Sequence, residues 1–101
     1  MDLTQYNVVV VVFVMEGCGA CAEYAPRFQR VAGPFTHAVP SFIVDANSPQ
    51  GGPLADRFMI EATPTTLILR KPAGAIKAEG SLPDAEIVEM FKFAAAHGRA
   101  R

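Results

Sequence analysis

The sequence predicts an α/β domain with the order β-α-β-α-β-β-α, built on a central four-stranded mixed sheet with helices on both faces. Three observations carry this expectation. The run over residues 8–15 is apolar and β-branched throughout, as a central strand covered on both sides requires. Helical spacing of apolar residues follows it at once. Late in the chain, residues 71–74 form a Pro-to-Gly turn between two strand-like stretches, the pattern of a hairpin. A parallel βαβ unit and a hairpin-plus-helix unit can share one mixed sheet.

Each element has its own justification. Residues 1–7 are polar and read as a lead-in. A helix is expected over 20–32, with Tyr24, Phe28 and Val31 inward and Arg27, Gln29 and Arg30 outward. Pro26 removes one hydrogen bond inside it, and Gly33 and Pro34 end it. Residues 39–45 read as the second strand, with Ser41 near its start. Asn47, Ser48, Pro49 and two glycines mark a loop over 46–52. A short helix over 53–58 carries proline in its first turn. Residues 65–70 form the third strand and 75–79 a short fourth. Ser81 and Asp84 fit a capping box for the last helix. Ile87, Phe91 and Ala94 or Ala95 give that helix a buried stripe, with Val88 alongside, and His97 and Gly98 close it.

Bulk composition excludes several classes. The 101 residues suit one domain, 1–101, with its core at about 8–97. Half the residues are apolar, so disorder is not expected. Nine basic and ten acidic residues leave no surplus for nucleic acid. The basic residues at the end, Arg99 and Arg101, read as a solvated tail. The 8–15 run is too short to span a bilayer. It follows Asp2 and no Lys or Arg, unlike a signal peptide. The expected location is the cytoplasm, with no membrane partner.

The chemistry-bearing stretch is Gly17-Cys18-Gly19-Ala20-Cys21, which holds both cysteines. They fall where the first strand meets the first helix. Cys18 lies near the helix start, where unpaired N–H groups and the helix dipole favour a thiolate. Cys21 lies three residues on, within reach of Cys18. The pair reads as a redox couple that opens and closes a disulfide. Three other readings stand beside it: a shared structural zinc, which needs four ligands, while His37 and His97 form no close pair in sequence; a purely structural disulfide, whose loop constrains little of the unfolded chain; and two inert buried thiols.

From residue 8 to about residue 96 the chain resembles the thioredoxin superfamily. Cys18-Gly19-Ala20-Cys21 follows the first core strand. Pro26 stands five residues past the second cysteine, as the kink proline does there. Thr63-Pro64-Thr65 opens the third strand, where the superfamily has its cis-proline. Gly80 follows the fourth strand, where thioredoxins keep a glycine beside the active site. Asn47, Ser48 and Pro49 after Asp45 resemble the thioredoxin loop at that point. The departures are equally specific. Gly17 replaces the Trp that precedes the first cysteine. Val12 stands where thioredoxins bury an acid, and Ser41 where many carry the accompanying lysine. The separate first strand and helix of full thioredoxins are absent, so the topology is also similar to glutaredoxins and small redoxins, without the glutaredoxin Pro-Tyr between the cysteines.

The resemblance implies a protein dithiol–disulfide oxidoreductase whose only redox group is the Cys18–Cys21 disulfide, with no bound cofactor and no metal. Cys18 attacks and Cys21 resolves. The backbone at Thr63, beside Pro64, pairs with an extended substrate segment, and Gly17, Gly19, Ala20 and Gly80 leave the groove open. With no acid at Val12, the candidates for taking the Cys21 proton are water, the departing Cys18 thiolate, Glu16 and Glu61. Partners are disulfide-bearing proteins and an upstream reductase, of thioredoxin-reductase type or glutathione, acting on a monomer. The alternatives are a glutathione-dependent glutaredoxin and a non-enzymatic interaction module.

Overall fold

The computed structural model describes residues 3–72 and 74–99. Strand β1 is Val8–Val14, helix α1 Gly19–Ala32, β2 Ser41–Asp45, α2 Gly51–Arg57, β3 Thr65–Arg70, β4 Gly74–Glu79 and α3 Asp84–Arg99. The sheet order is β2-β1-β3-β4. β1 runs parallel to β2, while β3 is antiparallel to both β1 and β4. The βαβ unit and the hairpin therefore share one mixed sheet, as the sequence leads one to expect.

The valine run explains why β1 is central. Alternate residues serve opposite faces of a strand. Val8, Val10 and Val12 pack with Tyr24 and Phe28 of α1 and with Ile87 and Phe91 of α3. Val9, Val11 and Phe13 pack on the other face with Val44, Ala55 and Leu67. All of β1 from Val9 to Phe13 is fully buried. A strand that must fill two cores has no place for a polar residue without a partner.

Several boundaries differ from expectation for local reasons. Gly33 and Pro34 do not stop the first helix; the chain tightens into a 3-10 turn over Gly33–Phe35, where proline at an early position costs no needed N–H. β2 begins at Ser41, although Val39 is buried. α2 starts at Gly51, because Ser48 accepts the Gly51 N–H through its hydroxyl and the Gly52 N–H through its carbonyl. Only glycine suits position 51, where a Cβ would run into the Asp45 carbonyl. The capping box at Ser81 does not form: α3 begins at Asp84, and the Pro83 carbonyl accepts from Glu86 and Ile87. α3 also continues through Gly98 to Arg99 instead of closing at His97 and Gly98. Of the terminal basic pair, Arg101 lies outside the described residues, as do Met1, Asp2 and Ala73 of the hairpin turn.

Candidate active site

The junction between β1 and α1 sets the site. Gly17 takes φ +83°, a left-handed turn that glycine adopts freely and a bulky residue resists. Cys18 then becomes the N-cap of α1, with extended backbone at φ −87° and ψ 104°. Its sulfur accepts the Cys21 N–H at 3.1 Å, one of the N–H groups that a helix start leaves without a carbonyl. A sulfur in this position receives partial positive charge from the helix end. Cys18 and Cys21 are joined as a disulfide, with Cα atoms 5.2 Å apart. Cys18 is half-buried, whereas Cys21 is only 4% exposed. One sulfur can be reached from solvent and the other is shielded behind it.

The second wall comes from the start of β3. The Cys18 sulfur lies 3.5 Å from the Thr63 carbonyl oxygen. The Thr63–Pro64 peptide is cis, as is Lys71–Pro72 in the hairpin turn. Pro64 is buried and Thr63 half-buried. Gly80 takes φ +88° and donates its N–H to the Pro64 carbonyl at 2.8 Å. Thus Cys18, Thr63, Pro64 and Gly80 meet from three separate stretches of chain. Gly19 and Ala20 are exposed beside them. Pro26 does not join this cluster; it lies on the exposed side of α1, and the helix runs through it from Gly19 to Ala32.

Among the described residues no carboxylate is buried. Val12 is fully buried and faces Thr66 across the β1–β3 register. The polar group in this layer is a hydroxyl pair, Tyr24 Oη and Thr66 Oγ1 at 2.9 Å, with both residues buried. Burial pushes the Tyr24 phenol upward, and the Thr66 hydrogen bond opposes this only in part. The phenol is therefore a donor or acceptor of hydrogen bonds and not a base near neutrality. Glu16 and Glu61 are exposed. Strict alternation along β3, which turns Thr66 inward beside Ile68, was the signal for this pair, and reading Tyr24 as plain core overlooked it.

Arg27 also departs from expectation. It does not project into solvent but bridges α1 to the start of α3. It bonds Glu23 at 2.6 Å, Asp84 at 2.9 Å and the Leu82 carbonyl at 2.6 Å. The hydrogen bond from Arg27 holds the Glu23 carboxyl below its usual range, and Glu23 and Asp84 push the Arg27 guanidinium upward. This clamp fixes the segment that follows Gly80, and so the edge of the site. Among the described residues no three His, Cys, Asp or Glu side chains are grouped to hold a metal ion.

Known proteins resemble this chain in sequence and fold. The family model described as Thioredoxin matches residues 2–93. A protein disulfide-isomerase of Hordeum vulgare is 30% identical over 92 residues, which cover 87% of this chain and 18% of that protein. The putative thioredoxin 2 of Streptomyces coelicolor is 27% identical over 88% of this chain and 64% of its own length. The chain thus spans about a fifth of that isomerase and under two thirds of that thioredoxin. Among solved structures, chloroplastic thioredoxin z superposes with a TM-score of 0.72 at 29% identity, covering 89% of this chain and 80% of that one. The first thioredoxin domain of mouse protein disulfide-isomerase A4 gives 0.75 at 26% identity, covering 90% and 65%. With the fold, the joined cysteine pair and a family match over nearly its whole length, the chain belongs to the thioredoxin family.

Proposed function

We propose that this chain is a dithiol–disulfide oxidoreductase that reduces disulfides in target proteins. One observation carries the reading: the half-buried Cys18 sulfur caps α1 and accepts the Cys21 N–H, while Cys21 is shielded behind it. In the reduced protein the Cys18 thiolate attacks a target disulfide. A Cys18–target bond forms and one target sulfur leaves as thiolate, taking up a proton. Cys21 gives up its proton and attacks the Cys18 sulfur. The internal disulfide closes, and the second target thiol departs. Two electrons pass to the target; one of the two protons it gains comes from Cys21 and the other from solvent.

The Thr63 backbone, held beside the Cys18 sulfur, supports strand addition by an extended target segment. Gly17, Gly19, Ala20 and Gly80 carry no side chain large enough to obstruct that approach. The cycle restarts when a reductase of thioredoxin-reductase type, or glutathione, reopens the Cys18–Cys21 bond. It needs no bound cofactor, and we place it in the cytoplasm as a monomer.

The test is insulin-disulfide reduction with dithiothreitol as electron source. The reading expects the chain to accelerate precipitation of the insulin B chain, and both Cys18→Ser and Cys21→Ser to abolish the acceleration. Turnover of a glutathione mixed disulfide without activity on insulin would favour a glutaredoxin-type enzyme. Inactivity in both would leave a binding module.

A further inference from the structure

A second apolar groove lies next to the site. β4 is an edge strand of the sheet, and it presents Ile76 and Ala78 toward Met90 and Phe93 of α3. Ile76 is 41% exposed and Phe93 47%, unusually high for large apolar side chains that flank one another. Glu86 and Glu89 stand on the α3 rim. Thr66 and Leu82 line the groove, each two residues along the chain from a site residue, Pro64 and Gly80. Thr66 follows Pro64 by two residues, and Leu82 follows Gly80, which bonds Pro64. The Gly80–Leu82 segment is therefore a wall common to both.

From this continuity and charge we infer that the groove is an exosite for the target polypeptide, taking a segment in which a basic residue precedes an apolar one as the chain leads away from the reacting cysteine. The inference rests on the disulfide-reducing reading of the site. Ile76 pairs with Ile68, four residues along β3 from Pro64. At the rise of a strand this is roughly 13 Å, so about four extended residues lead from Pro64, beside the reacting sulfur, to the apolar floor. Glu86 lies on the way and suits a lysine or arginine. At the far end the Arg70 guanidinium sits 5.4 Å from the Phe93 ring, so a basic residue placed beyond the apolar anchor meets like charge. The order basic-then-apolar is thereby distinguished from its reverse. The unpaired outer edge of β4 offers main-chain hydrogen bonds to such a segment.

The test uses pre-reduced protein and synthetic peptides whose cysteine is capped by thionitrobenzoate. The Cys18 thiolate attacks the peptide sulfur, and thionitrobenzoate leaves, read by its absorbance. Peptides carry lysine then leucine, leucine then lysine, or glutamate then leucine, on either side of the cysteine. The lysine–leucine arm should react about three- to tenfold faster than either the glutamate–leucine or the leucine–lysine arm at low salt, the range open to rim charges, and a leucine–lysine arm as fast as the lysine–leucine one would overturn the proposed order. The double variant Glu86→Lys/Glu89→Lys should erase or reverse that preference. Capped N-acetylcysteine should react alike with both proteins. Equal rates for all arms would overturn the exosite while leaving the redox reading intact. Failure of capped N-acetylcysteine to react with the parent protein would instead overturn the redox reading itself. A dimer in sedimentation that Ile76→Lys dissociates would assign the groove to a second copy of the chain and overturn the exosite.

Discussion

The Cys18 sulfur and the Thr63 carbonyl oxygen, forty-five positions apart in the chain, stand 3.5 Å from each other. That contact joins two sequence signals into one site: a helix cap that carries the sulfur, and a strand start that presents backbone to whatever the sulfur meets. Gly80 completes it by holding the Pro64 carbonyl.

Gly80→Ala should destabilise the protein by about 1 kcal/mol, because φ +88° is a region alanine resists. No atom lies within 4 Å of the Cβ it would add, so the loss comes from the backbone alone. Gly19→Ala is the control: it sits in helix with ordinary φ and open space, and should be neutral or stabilising. Urea denaturation of the two variants measures the contrast. Equal effects would contradict the assignment.

Tyr24→Phe should cost about 1–3 kcal/mol, since it leaves the buried Thr66 hydroxyl without its partner. Adding Thr66→Val should restore part of the loss. Burial raises the Tyr24 phenol above the ordinary tyrosine value of about 10. The folded state thus retains a proton that the unfolded chain gives up. The stabilisation is present below about pH 10 and is lost as pH rises through the folded value. Urea midpoints from neutral to strongly alkaline pH should fall less steeply in Tyr24→Phe than in the parent.

Much of this is legible in the sequence itself. The valines of β1 announce a strand buried on both faces, and the cysteine spacing at its end places a sulfur on a helix cap. Residues 65–70 could be read as β3 because β-branched residues follow a proline. What the sequence could not reveal were bonds between distant polar groups. Arg27 looks like a surface residue until Asp84 and the Leu82 carbonyl arrive from the far end of the chain. Tyr24 looks like core until Thr66 is turned to meet it. Ser81 satisfies the local pattern of a cap, yet Pro83 decides where α3 begins. Local patterns fix element types; long-range partners fix their ends and their polar contacts.

The redox potential should lie at about −200 to −270 mV, between glutaredoxin and thioredoxin values. Gly19 and Ala20 place no cation between the cysteines to hold the Cys18 thiolate more strongly. Equilibration with a glutathione buffer gives the number. A value near −120 mV would make the protein an oxidant and reverse the direction of the proposed reaction.

The central claim is the division of labour between an attacking Cys18 and a resolving Cys21, and trapping tests it most directly. Reduced Cys21→Ser and reduced Cys18→Ser are each mixed with a disulfide-bearing protein such as insulin, quenched with acid, and mapped by mass spectrometry. The account predicts that Cys21→Ser accumulates a mixed disulfide through Cys18, and that Cys18→Ser accumulates none because its remaining thiol is shielded. Accumulation through Cys21, with none through Cys18, would contradict it.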